Sequence, residues 1–246
     1  MLPKLLAAFT TVSSLATLRH SAEARHYETR FPGTYWNDED WVITTTHLDQ
    51  GHYQSRGSLA NGYIGINLAA IGPFYEVDTP VNGDMINGWP IFDRRQTFAT
   101  IGGFYDSQPT TNGTNFEWLN QYGGESVISG VPHWSGLHVK SGDDVLDASV
   151  PKSQISGFKS TLDVHNAVMN WSYTWTPSNG RAVDVEYSMF VHKLHINQAA
   201  LQLRLTSEED ADVSVIDVLN GDGAMRTDFV DKNYDDAKPM IWTAVS

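Results

Sequence analysis

The chain has 246 residues and not one cysteine. That absence excludes disulfide stapling, thiolate catalysis and cysteine-ligated zinc. It also argues for a sizeable core, because secreted domains lean on cystines mainly when they are too small to bury much apolar surface. Basic residues are scarce as well: 16 Lys and Arg face 29 Asp and Glu, for a formal net charge of -13. Such a balance disfavours nucleic acid as a partner, since affinity for that backbone rests on neutralising phosphates. Long apolar runs are missing too. The longest, 5–18, falls short of the roughly 20 residues a membrane-spanning helix needs. No Gly-x-Ser-x-Gly elbow, phosphate-binding loop, His-Glu-x-x-His or dinucleotide fingerprint occurs. Neither a sustained amphipathic helix nor an internal repeat is present.

The ends carry their own signals. Lys4 precedes the apolar run, and Ala22-Glu23-Ala24 follows it. This arrangement has the form of a secretory signal peptide over residues 1–24, leaving a soluble domain over 25–246 with no membrane segment after cleavage. Two N-glycosylation acceptor patterns fit export: Asn112-Gly113-Thr114 in a polar loop, and Asn170-Trp171-Ser172 in an aromatic strand pattern. Asn112 is the more accessible, and Asn170 has an awkward tryptophan in its middle position. The final residues, 240–246, read as a strand without a closing element. Because an unpaired edge is a liability, we expect Ser246 not to be a natural domain end.

Between the ends, β patterns dominate. Alternating or β-rich runs occur at 137–140, 168–176, 182–192, 199–206 and 212–219, separated by turn formers such as Ser141-Gly142-Asp143-Asp144 and Pro177-Ser178-Asn179-Gly180. The flanks of Asn179-Gly180 alternate polar and apolar residues, as half-buried antiparallel strands do. The expected fold is an all-β antiparallel sandwich.

The chemistry concentrates between Gly51 and Trp134, where glycine, amides, carboxylates and aromatics mix. A glycosidase sets two carboxyl groups about the scissile bond. Glu76, Asp78, Asp84, Asp93 and Asp106 are candidates by composition, but each lies near turn formers, and acceptance in a turn is the expected role. Trp89, Phe92, Phe104, Tyr105, Trp118 and Trp134 offer flat faces to a sugar, with core packing the expected role for most. Trp89 is set apart by Asn87-Gly88-Trp89-Pro90, which reads as an exposed turn. Asp93-Arg94-Arg95 follows, and arginine can clamp a carboxylate at two points. His192 and His195 are expected on opposite faces of a strand, unable to share a metal ion. Gly221-Asp222-Gly223 reads as a plain turn.

The segment Gln54-Ser55-Arg56-Gly57-Ser58-Leu59-Ala60-Asn61-Gly62-Tyr63-Ile64-Gly65 resembles the start of glycoside hydrolase family 65, with its Asn-Gly-Tyr-x-Gly pattern. The continuation through Glu76-Val77-Asp78-Thr79-Pro80, Asn82 to Pro90 and Tyr122-Gly123-Gly124-Glu125-Ser126 looks like the fungal acid trehalases of that family. This resemblance covers nearly all of residues 25–246 but only the front of a much longer family. It implies a galactose mutarotase-like antiparallel super-sandwich, incomplete at its C-terminal side, that packs on a helical toroid. The toroid would carry the catalytic carboxylates for inverting hydrolysis of α,α-trehalose, without cofactor or metal, in a secreted, cell-wall, periplasmic or vacuolar enzyme. No residue here matches the family's general acid, so the span alone is expected to be inactive. What it would offer is a rim or domain-interface loop over 82–95, with Trp89 at the tip and Asp93 and Arg95 as anchors. Competing expectations are a free carbohydrate-binding module, a purely structural β-sandwich, and part of a disaccharide phosphorylase.

Overall fold

A computed structural model describes residues 26–50, 57–77, 96–108, 125–208 and 210–246. Every strand pairing among them is antiparallel. One layer is a seven-stranded sheet ordered β1-β2-β3-β11-β12-β13-β14, formed by His26–Glu28, Thr34–Asn37, Val42–Thr45, Ile155–Asp163, Val168–Trp175, Val183–Val191 and Ala199–Thr206. Facing it are shorter sheets. Strands β4 (Ser58–Ala60), β5 (Ile64–Asn67) and β6 (Ala99–Ile101) form one, and β10 (Asp144–Leu146), β9 (His133–Ser141) and β15 (Ser214–Asn220) another. Two further pairs are β7 (Tyr105–Gln108) with β8 (Glu125–Ile128), and β16 (Phe229–Asp235) with β17 (Met240–Val245).

The alternation in sequence translates directly into layers. On β13, Val183, Val185, Tyr187, Met189 and Val191 are buried, while Asp184, Glu186 and Phe190 point outward. On β12, Met169, Trp171, Tyr173 and Trp175 are buried in the same way. From the other layer come Leu59, Ile64, Ile66, Leu68, Phe74, Val139 and Leu146, which join these side chains in a single apolar cluster. Each fully buried large side chain of this kind stabilises the fold by roughly 2 kcal/mol in transfer terms.

Two polar groups inside the sandwich are satisfied across the layers. Trp171 Nε1 donates to the carbonyl of Ala70 at 3.1 Å, and the Tyr187 hydroxyl donates to that of Leu137 at 2.7 Å. Phe74 meets the Tyr187 ring edge-on, with centroids 5.5 Å apart. The turn at 141–144 closes a two-residue hairpin with Gly142 at φ +60°. Asn179-Gly180 also lies in a reversal, but its loop takes seven residues between the paired Trp175 and Val183. There Asn179 Oδ1 accepts from the Arg181 amide at 3.0 Å, and its Nδ2 donates to Ser141 Oγ at 2.9 Å.

Candidate functional site

The loop expected to hold Trp89, Asp93 and Arg95 lies outside the described residues, as do Asp78, Asp84, Phe92, Asn112 and Trp118. Its stem is described. Val77 and Gln96 form an antiparallel bridge on either side of it, and one step inward Thr97 N donates to the Glu76 carbonyl at 2.8 Å. The Thr97 hydroxyl oxygen accepts from Glu76 N at 2.9 Å. Glu76, Gln96 and Thr97 are all buried, so the two segments that flank residues 78–95 meet on a buried polar base.

Around that base the layers converge. The Tyr75 hydroxyl lies 2.9 Å from Gln96 Oε1 and 3.2 Å from the carbonyl of Asp222. Asp222 belongs to a 3-10 turn, Gly221–Gly223, whose Asn220 cap accepts from Asp222 N at 2.8 Å. The turn presses on β9: a Cβ at Gly223 would stand 3.1 Å from His133 Cβ. Gly221-Asp222-Gly223 is thus a turn, as its sequence suggests, and also a wedge between the stem and β9.

His133 occupies the centre of this region and is 1% exposed. Its Nε2 lies 3.1 Å from the Asn67 carbonyl, which can only accept, so the neutral ring carries its proton on Nε2. Burial lowers its pKa to about 4, against a smaller opposing effect from that hydrogen bond. Ser135 Oγ donates to the Pro73 carbonyl at 3.0 Å, and Tyr75 tilts toward the imidazole with centroids 5.8 Å apart. Sequence reasoning missed this group. The signal available was His133 and Ser135 at period 2 with the core-facing Leu137 and Val139 of the same strand.

The other candidates depart from expectation in instructive ways. Glu76 and Asp106 do not sit in turns. Glu76 is buried in the loop stem, whereas Asp106 lies on β7 opposite Val127, 3.7 Å from Arg226 Nη1. Tyr105 is 61% exposed rather than core, while Trp134 packs against the core as expected. His192 and His195 are not divided by a strand, because β13 ends at Val191 and a turn follows. Their rings stand 4.7 Å apart, and His192 Nδ1 accepts from the amides of Leu194 and His195. Among the described residues, no group of three or more His, Cys, Asp or Glu is placed to hold a metal ion. Asn170 lies mid-strand on β12, half-buried, on the outer face of the seven-stranded sheet.

The site is therefore a rigid base for a loop, assembled from a buried histidine, hydroxyls and amides. Residues 43–246 match the glycosyl hydrolase family 65, N-terminal domain. The chain is 53% identical over 229 residues to an acid trehalase of Emericella nidulans, a match spanning 92% of this chain and 21% of that protein. It is 54% identical over 222 residues to a cell wall acid trehalase of Arthroderma benhamiae, spanning 89% of this chain and again 21% of the relative. The chain thus spans about a fifth of the length of the curated relatives it matches. A solved structure described as a kojibiose phosphorylase from the human microbiome superposes with a TM-score of 0.58 at 14% identity, covering 84% of this chain and 26% of that one. At that identity the likeness speaks for the fold alone.

Proposed function

Because the chain belongs to glycosyl hydrolase family 65, matching its N-terminal domain, we propose that it is the non-catalytic front part of an acid α,α-trehalase. In this reading it frames a catalytic region of the same polypeptide that is not among these 246 residues. The observation that carries the proposal is the disproportion of the match: 53% identity runs over 92% of this chain but reaches only 21% of the relative. Inverting hydrolysis of trehalose needs a general acid and a general base on opposite sides of the glycosidic bond. Among the described residues, Glu76 is fixed in a loop stem and Asp106 is held by Arg226. Both have structural uses.

The loop over 82–95 is assigned to the rim of the substrate pocket or to the domain interface, with Trp89 at its tip and Asp93 and Arg95 as anchors. The rigid stem supports this assignment, since a loop that positions a ligand works best on a fixed scaffold. Residues 1–24 act as a secretory signal, residues 25–246 as the domain, and Asn112 as an N-glycan acceptor. The working location is outside the plasma membrane or in the vacuole. The cell-wall designation of a relative supports that placement.

The test is glucose release from trehalose by residues 25–246 alone and by the longer polypeptide. Activity is expected only in the longer form, and turnover by 25–246 alone overturns the reading. In the longer enzyme, Trp89→Ala is expected to raise KM or loosen association of the two parts. Unchanged kinetics and association remove the loop from the site.

A further inference from the structure

We propose that Asn170 carries an N-linked glycan whose first sugar lies along the outer face of the seven-stranded sheet. The proposal rests on the reading that the chain enters the secretory route. Its carrying observation is the register of four adjacent strands.

An acceptor pattern by itself is a short and common string, and Trp171 between Asn170 and Ser172 gives it a bulky apolar centre. The fold separates these parts. Successive residues of a strand point to opposite faces, so Trp171 is buried at 1% exposure with its Nε1 bonded to the Ala70 carbonyl. Asn170 and Ser172 project together from the outer face. A register shift of one residue would have reversed this, placing the amide in the core where a glycan could not be held.

The outer face is built in two cross-strand rungs. Thr161, Asn170, Ser188 and Gln202 stand side by side on β11, β12, β13 and β14, an uncharged row of hydroxyls and amides. The next row is Lys159, Ser172, Glu186 and Arg204, with the last two 3.6 Å apart. These residues line a shallow depression of about 230 Å³. Its geometry favours a substituent at Asn170: the immediate neighbours Thr161 and Ser188 are short, while the long side chains Lys159, Glu186, Gln202 and Arg204 form the margin. Hydroxyl, acetamido and ring oxygens of N-acetylglucosamine match that row of donors and acceptors.

The chemistry balances with the donor of the secretory route, a lipid pyrophosphate-linked oligosaccharide. Asn170 Nδ2 attacks the anomeric carbon, the N–C bond forms as the C–O bond to pyrophosphate breaks, the amide loses one proton, and the lipid pyrophosphate leaves. The reaction precedes folding, when the segment is accessible. In the folded strand, Asn170 Nδ2 donates to Thr161 Oγ1 at 3.3 Å. A glycosylated amide retains one N–H for this bond, so the modification and the strand geometry are compatible.

The experiment expresses the full chain in a eukaryotic host in two forms, one with residues 1–24 and one with a heterologous leader in their place. Peptide N-glycosidase in heavy-oxygen water marks each glycosylated asparagine as labelled aspartate. The expected result is labelled aspartate at position 170 in secreted material, lost in Ser172→Ala and retained in Ser172→Thr. An unmodified peptide over 168–175 from chain secreted with the heterologous leader overturns the proposal. Failure of the native leader alone overturns only the secretory reading. The seat is tested by amine labelling of Lys159, which is expected to be severalfold faster in folded Asn170→Gln. Equal rates place the sugar away from the rungs.

Discussion

The Asn61 side-chain amide donates to the carbonyl of His192 at 2.8 Å, across 131 residues of chain, and to that of Ile196 at 2.9 Å. Its Oδ1 accepts from the amides of Tyr63 and Ile64, at 2.9 and 2.8 Å. One side chain thus shapes the Asn-Gly-Tyr turn and ties it to the turn after β13. Asn61→Ala strands two amides and two carbonyls. It is expected to cost about 3 kcal/mol, read as a lower urea midpoint with unchanged slope.

Two glycines separate conformational from steric cost. Gly62 sits at φ +90° with open space where a Cβ would be, so Gly62→Ala is expected to cost about 1–2 kcal/mol through backbone strain alone. At Gly136 the φ is unremarkable, but a Cβ would meet the Val218 carbonyl oxygen at 2.8 Å where β9 and β15 pair around a bulge. Gly136→Ala is therefore expected to cost more than Gly62→Ala and to loosen β15, seen as faster amide exchange over 214–218. The reverse order of midpoints contradicts this.

Two core tyrosines make opposite predictions. The Tyr187 hydroxyl bonds the Leu137 carbonyl, whereas the Tyr173 hydroxyl is buried without a hydrogen-bond partner. Tyr187→Phe is expected to destabilise by about 1 kcal/mol, and Tyr173→Phe to be neutral or stabilising by a similar amount, because a desolvated unpaired hydroxyl opposes folding. Burial raises the pKa of both phenols, which keeps them neutral at any working pH.

His133 imposes an acid penalty. Its pKa falls from 6.5 unfolded to about 4 folded. Between those values the unfolded chain binds more protons than the folded one, so stability is fully present above 6.5 and declines as pH drops, levelling below about 4. The total loss is about 3 kcal/mol. Burial lowers the His138 pKa also, in the same sense. Chemical denaturation at stepped pH should show this slope. His133→Gln, which can still donate to the Asn67 carbonyl, is expected to flatten it.

How much of this was legible varies by element. Strands β12, β13 and β14 fall within a residue or two of their alternating runs, because burial on one face writes period 2 into the sequence. Strand β11 was not legible: Gly157 at φ +62° and a register shift between Ser156 and Lys159 break its period. Strand β16 was hidden for another reason, being exposed through Tyr234, so no buried face patterned it. His192 and His195 were misread because alternation says nothing about where a strand ends. The loop candidates Trp89, Asp93 and Arg95 are readings of the sequence that lie outside the described residues, while the stem at Val77 and Gln96 rests on contacts with residues far apart in the chain, such as Tyr75 with Asp222.

The sequence by itself determined the class of the molecule. Missing cysteines argued for a sizeable core, the acidic balance against nucleic acid as a partner, and period-2 patterning for an antiparallel sandwich, because composition and alternation act locally and need no partner. The resemblance around Asn61-Gly62-Tyr63 pointed to the family. Only tertiary structure decided what individual side chains do there. Asn61 became a clamp, His133 a neutral core residue, and Asn170 an outward-facing amide. Each outcome depends on register and on contacts between residues distant in sequence, and these exist only once the layers have packed.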